Sequence, residues 1–269
     1  MSSATAPLVE SIVPVAGFTE SSPTEDDAVL RERLRRDGYL FVRGLLAPGR
    51  PTRVRRGILE LCRDHGWLDD ASPLADGKAR AGLVLLEPDR AYHRLYQPLI
   101  RMPWFNALST APELMELFLR LLEDEVFVHP RNIARIIFPG AQTTQPHQDF
   151  HYIGGADDTY TTWLPLGDCP RALGGLAILE GSHRLGGLKH IPAIGAGGHG
   201  LPTGGLGLRW LSSDYRCGDV VLFHSRTVHA GQDNRTDRLR LSCDFRYQRA
   251  SDPVDPSSLL PHYHGADVD

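Results

Sequence analysis

The chain has 269 residues, with 29 Lys and Arg against 33 Asp and Glu, a formal net charge of −4, and 41% hydrophobic content. Such apolar content supports a sizeable core and excludes a wholly disordered chain, while the slightly acidic balance lacks the basic surface that nucleic acid requires. No run approaches the roughly 20 apolar residues of a membrane span, and the start MSSATAPLVESIV lacks the basic and apolar segments of a secretory signal. A cytoplasmic protein with neither membrane nor nucleic-acid partners is expected. The four cysteines, Cys62, Cys169, Cys217 and Cys243, form no C-x-x-C pair and read as buried thiols.

Residues 1–23 mix Ser, Thr, Pro and Ala and read as a flexible leader. A helix follows, with Thr24 as its cap, Leu30 and Leu34 on one face and Gly38 at its end. YLFVRGLL then reads as a strand, and Thr52–His65 as a helix with Val54, Ile58, Leu61 and Cys62 in one stripe. Thr110 and Glu113 form a capping-box pattern ahead of Leu114, Leu117, Phe118, Leu121 and Leu122 at helical spacing. After Glu125 the texture changes to short β-rich runs, VFVHP, NIARIIF, TYTTWLPL, LAILE, DVVLF and LRLSCDFRY, divided by Gly, Pro, Asp and Asn. Strands at this spacing suggest a sandwich or jelly roll. One domain over 24–250 is expected, mainly β, with a helical part at 24–125 packed outside a jelly-roll core at 126–250, then a tail at 251–269. Segments 68–92 and 186–208, the latter with seven glycines from Gly195 to Gly207, are longer than idle loops and are candidate lids.

His147-Gln-Asp149 places an imidazole and a carboxylate at spacing two. In an extended strand both side chains leave the same face, which makes half of a metal site. A turn, the apolar run Val220–Phe223, a short excursion and then His229 supply a third ligand, because two His, one Asp and open positions form the facial triad of non-haem iron(II) oxygenases. His224 and His151 compete for that role, His224 with a structural alternative and His151 only if its strand stays regular. On the last strand, alternation puts Arg238, Arg240 and Ser242 on one face. A guanidinium matches a carboxylate with two parallel hydrogen bonds, so an arginine eleven residues after His229 can return beside the metal and hold a dicarboxylate.

The ordered set of His147-x-Asp149, Gly174 to His183 (GGLAILEGSH), Gly218 to His224 (GDVVLFH), and His229 with Arg240 eleven later resembles the phytanoyl-CoA dioxygenase family of iron(II)- and 2-oxoglutarate-dependent oxygenases. The similarity spans roughly residues 25 to 250. It implies a double-stranded β-helix, the cupin-like jelly roll, with iron on His147, Asp149 and His229 and the distal carboxylate of 2-oxoglutarate on Arg240. It also implies a structural Gly-Ser-His turn at Gly181–His183 and, by looser similarity, cosubstrate contacts from Trp163, Thr161 and Asn132. Family halogenases carry a small residue in place of the carboxylate, so Asp149 favours hydroxylation of a small molecule with O2, releasing succinate and CO2. Gln148, Phe150, His151 and Tyr152 lie near enough to the ligands to line a substrate pocket. Two other classes use the same fold: a cupin-like metal-dependent isomerase or hydrolase, which needs no Arg240, and a non-catalytic jelly-roll binder. The sequence specifies neither substrate nor oligomeric state.

Overall fold

A computed structural model describes residues 10–87 and 89–263. The first nine residues of the expected leader and the last six of the tail lie outside the described residues. After a two-residue strand β1 (Glu20–Ser21), helix α1 (Asp27–Asp37) is capped by Asp26, whose carboxylate accepts from the Ala28 N–H at 2.8 Å. The expected cap, Thr24, instead shares a hydrogen bond with Ser22. Gly38 ends the helix at φ 81°, its N–H returning to Leu34 O. Strand β2 (Tyr39–Val42) stops short of the expected Leu46, the chain turning away through Gly44 at φ 58°.

Helix α2 (Gly49–Asp64) follows, and two helices that the sequence does not announce come next, α3 (Arg90–Leu99) and α4 (Pro103–Asn106). Tyr92, Leu95, Tyr96 and Leu99 bury one face of α3, a helical stripe that Pro98 disguises. Helix α5 (Pro112–Leu122) buries Leu114, Leu117, Phe118, Leu121 and Leu122 as expected. It starts without the capping box: Ala111 is the cap residue, Pro112 opens the first turn, and the Thr110 hydroxyl donates to Ala107 O.

The remaining strands are β3 (Val126–Val128), β4 (Ile133–Ile137), β5 (Tyr160–Pro165), β6 (Leu176–Leu179), β7 (Ile191–Pro192), β8 (His199–Gly200), β9 (Trp210–Leu211), β10 (Val220–His224), β11 (His229–Gly231) and β12 (Arg240–Arg249), with a helical turn α6 (Phe150–Ile153) after β4. The large sheet runs β1-β2-β10-β5-β12-β3, with β4 also on β12, and the small sheet runs β11-β6-β9. Together they form a double-stranded β-helix.

Period-two alternation divides the two cores. Leu40 and Val42 of β2, Val220 and Leu222 of β10, and Leu241, Cys243 and Phe245 of β12 pack with the helices. Tyr39, Phe41, Trp163, Val221 and Phe223 turn the other way, toward Leu176, Ile178 and Leu211 of the small sheet. Strand β12 departs from the apolar pattern on its inner face, where Arg240, Ser242, Asp244, Arg246 and Gln248 are all buried. Buried polar groups at every second residue require partners or ligands, and this face carries the site.

Residues 10–23, expected within a flexible leader, pack on the sandwich: Phe18 joins the inner core, and Glu10 accepts from the backbone and hydroxyl of Thr203 at 2.9 and 2.8 Å. Gly174, at φ 80°, lies so near the Gln232 carbonyl that a Cβ would stand 2.3 Å from it, which closes the small sheet at that turn. The Gly181–His183 turn is structural, Ser182 Oγ accepting from Val228 N and His183 Nε2 bonding Arg35 O. No helix among the described residues is long and apolar enough to cross a membrane.

Candidate active site

His147 and His229 exchange two backbone hydrogen bonds of 3.0 Å in an isolated antiparallel bridge. That pairing sets their rings 4.1 Å apart. Asp149 reaches them differently from the sequence expectation. The chain does not continue as a strand through the H-x-D segment; Asp149 has helical backbone (φ −60°, ψ −32°) and opens α6. The turn brings its Oδ1 to 3.7 Å from His147 Nε2 and 3.8 Å from His229 Nε2. Cis ligands on bonds of about 2.1 Å stand roughly 3 Å apart, so small adjustments let one ion touch all three.

The donors are prepared for a metal. Each imidazole donates Nδ1–H to a carbonyl two residues earlier, His147 to Gln145 at 2.8 Å and His229 to Thr227 at 3.0 Å. The tautomer is thereby fixed with the Nε2 lone pair facing Asp149, an arrangement typical of metal-bound histidine. Burial, then the neighbouring His147, lowers the His229 pKa to about 3, so the ring is neutral and ligand-competent at physiological pH. Burial alone would raise the Asp149 carboxyl, but the Arg246 guanidinium leads the opposing influences and holds it well below the usual carboxylate range. Its Oδ2 accepts from Thr161 Oγ1 at 2.5 Å, and Arg246 Nη2 lies 3.2 Å from Oδ1. These three residues form the one cluster of metal-ligating side chains found among the described residues.

Arg240 lies beside the cluster, 4% exposed, in a small cavity shared with Thr144, His147, Trp163, Phe223 and His229. Its Nη1 donates to Ser242 Oγ at 2.7 Å, while its Nε is buried without a partner. A buried guanidinium with an unpartnered N–H is costly, and a carboxylate in that cavity would satisfy it. Arg238 precedes β12, is exposed and forms a backbone bridge with Lys78, so the two arginines do not share a strand face.

The other expected contacts divide. Thr161 and Trp163 both point inward from β5, but Thr161 holds Asp149 while Trp163 lines the Arg240 cavity. Asn132 is on the wrong side by parity: with Ala134 and Ile136 it faces the helices, donating to Asn106 Oδ1 at 2.8 Å. Gln148 is fully occupied, its Nε2 donating to Gly186 O and Arg226 O and its Oε1 accepting from Leu188 N. Phe150 lies under the Arg226 guanidinium at 4.5 Å, and exposed His151 stacks on His190 at 4.0 Å; neither lines the cavity at the cluster. Tyr152 does, edge-on to His147 at 5.8 Å. His224 sits apart, with Nε2 3.5 Å from Asp158 and Nδ1 accepting from Arg226 N.

That second cavity also contains groups the sequence reading missed: Glu87, Arg131, Arg135, Arg246 and His262. The two long loops both reach it, one through Glu87 and the other through Ala196 and Gly197. Arg246 was legible in principle, six residues after Arg240 on the same alternating face. Glu87 and His262 come from segments without regular structure and have no local signal.

Comparison with known proteins fits this geometry. The model of the family described as phytanoyl-CoA dioxygenase (PhyH) matches residues 34–242. The chain is 30% identical over 266 residues to the 1-deoxypentalenic acid 11-beta-hydroxylase of Streptomyces arenae, covering 91% of this chain and 89% of that protein. It is 29% identical over 264 residues to the enzyme of the same name from Streptomyces exfoliatus, covering 92% and 90%. Among solved structures, the epimerase SnoN in complex with Fe3+, alpha ketoglutarate and nogalamycin RO shares the fold at a TM-score of 0.57, with 23% identity and 86% of each chain covered. The chain therefore belongs to the phytanoyl-CoA dioxygenase family and is a non-haem iron(II)- and 2-oxoglutarate-dependent dioxygenase.

Proposed function

We propose that the chain hydroxylates an unactivated carbon of a small metabolite in the cytoplasm, holding iron(II) on His147, Asp149 and His229 and the distal carboxylate of 2-oxoglutarate on Arg240. The observation that carries this reading is the buried Arg240 guanidinium, its Nε without a partner, beside two Nε2 lone pairs and one carboxylate oxygen. A cupin-like isomerase or hydrolase has no use for that arginine, and a passive binder has no use for the prepared imidazoles. Four unpaired cysteines suit a reducing compartment.

Iron(II), when bound with 2-oxoglutarate and O2, supplies the oxidation and releases succinate and CO2. The chain positions and shields. Thr161 and Arg246 hold the Asp149 carboxylate with Oδ1 toward the imidazoles. Gln145 O and Thr227 O fix the two rings. Arg240 and Ser242 orient the cosubstrate from the inner face of β12, and Glu87 with the 186–208 loop excludes water above. No side chain is required as a general acid or base.

Anaerobic titration is expected to give one iron(II) per chain, with His229→Ala losing tight binding and Asp149→Gly losing succinate-coupled hydroxylation. Full occupancy in His229→Ala, or an unaltered rate in Asp149→Gly, sinks the assignment.

A further inference from the structure

We infer that the substrate carries a carboxylate, or a comparable single anionic group, and that Arg131 receives it. The inference rests on the proposed function, since it names the substrate class of that same site. The other cations around the cluster face a carboxylate of the chain or, for Arg240, the proposed cosubstrate. Arg135 Nη1 and Nε each lie 2.9 Å from a carboxylate, Glu87 and Asp244 respectively. Arg246 lies on Asp149, and Arg240 faces the cosubstrate cavity.

Arg131 lines the same cavity as His147, Asp149 and Arg246, yet no carboxylate among the described residues is within salt-bridge distance of it. Among the described residues its guanidinium makes one hydrogen bond, 3.3 Å from Nη1 to Ser257 O. Arg246 Nη1 donates to the Arg131 backbone carbonyl, which brings two cations to one wall. Burial, and then the Arg246 charge, depresses the Arg131 guanidinium below its usual range, as befits a cation short of a counter-charge.

Charge balance points the same way. Iron(II) and dianionic 2-oxoglutarate cancel, and Asp149, Glu87 and Asp244 offset Arg246, Arg135 and Arg240. Among the described residues the Arg131 charge is left in excess. His262, which also faces the cavity, adds none, because burial and the nearby arginines push its pKa well below the ordinary imidazole value. Ile133, Ile153 and Ala196 give the cavity apolar walls. A monoanion with a hydrocarbon body fits this lining: the anionic head pairs with Arg131 and the body lies against the isoleucines, presenting a C–H bond to the cluster.

The test uses the full-length protein loaded anaerobically with iron(II) and 2-oxoglutarate. Three acids serve as probes, 1-deoxypentalenic acid, decanoic acid and cyclohexanecarboxylic acid, each beside its methyl ester. Calorimetry reads binding, and succinate formation is followed once air is admitted. At least one acid is expected to bind about tenfold or more tightly than its ester. Arg131→Gln should abolish that preference with iron and 2-oxoglutarate affinity unchanged, and Arg131→Lys should restore part of it. Equal binding of acids and esters, unchanged selectivity in Arg131→Gln, or no acid binding at millimolar concentration overturns the inference. Failure to load iron or cosubstrate would instead overturn the proposed function, and the two failures are read separately.

Discussion

Individual side chains in this site are set by what their second atoms do. Asp149 illustrates this: one oxygen is taken by Thr161, so only the other faces the imidazoles. Thr161→Val keeps the shape and removes the hydroxyl, and loss of such an outer partner typically costs about 10- to 100-fold in metal affinity. Anaerobic iron titration of this variant should show that loss in a metal-free protein that still unfolds cooperatively; undiminished affinity would mean the hydroxyl does not hold the ligand. Arg240 is the second case. Truncating one partner of a buried charge-assisted pair costs about 2 to 5 kcal/mol, roughly 30-fold or more in affinity, so Arg240→Ala should raise the 2-oxoglutarate requirement by at least that factor and leave iron binding intact. Arg238→Ala, on an exposed residue ahead of the strand, should change it little. A larger loss at Arg238 would show the anchor to be misassigned.

At the scale of elements, the strands that sit between apolar layers were legible because period-two alternation survives in β2, β10 and β12. Helix α5 was legible from its buried stripe, although its start was not, since Pro112 rather than a side-chain cap opens it. The H-x-D segment shows why parity has limits: His147 and Asp149 converge through a bridge and a helical turn, and a pattern two residues apart cannot distinguish that from a strand. Asn132, offered by looser similarity, falls on the wrong face by parity, and Gln148, Phe150 and His151 were misplaced for a related reason. Nearness in sequence to a ligand says nothing about orientation, and Gln148 in particular spends its whole amide on clamping two loops. Gln148→Ala removes three hydrogen bonds from a buried site, at an expected cost on the order of 2 to 4 kcal/mol. The loosening should be local to 186–208, so limited proteolysis should cut between Gly195 and Gly207 earlier than in the parent protein. Cleavage at the parent rate would show that the clamp does not hold the loop.

The whole molecule buries imidazoles as well as hydrocarbon, and this makes its stability sensitive to mild acid. Burial lowers His129 to a pKa of about 4, and burial together with nearby arginines lowers His262 well below the ordinary value of 6.5. Neither is a proposed metal ligand. Both are neutral when folded, His129 sharing a hydrogen bond with Gln248 at 2.8 Å and His262 one with Tyr96 at 2.7 Å. An unfolded chain has no such restraint and its imidazoles take up protons near pH 6.5. Because the unfolded state then binds more protons than the folded one, stability rises with pH through this window and is lost as pH falls below the unfolded value. One unit below it, each histidine costs about 1.4 kcal/mol, so the pair removes about 3 kcal/mol at pH 5.5 relative to pH 7.5. Carboxylates do not share in this loss, since their own titration begins lower. Urea unfolding of the metal-free protein at the two pH values should show a drop larger than this pair alone supplies, because burial also lowers His190 to about 4 and His229 to about 3, and His129→Phe should reduce the pH-dependent part by about 1.4 kcal/mol, whatever it does to stability at pH 7.5. A midpoint independent of pH over that interval would mean that these imidazoles are protonated, or freely hydrated, in the folded chain.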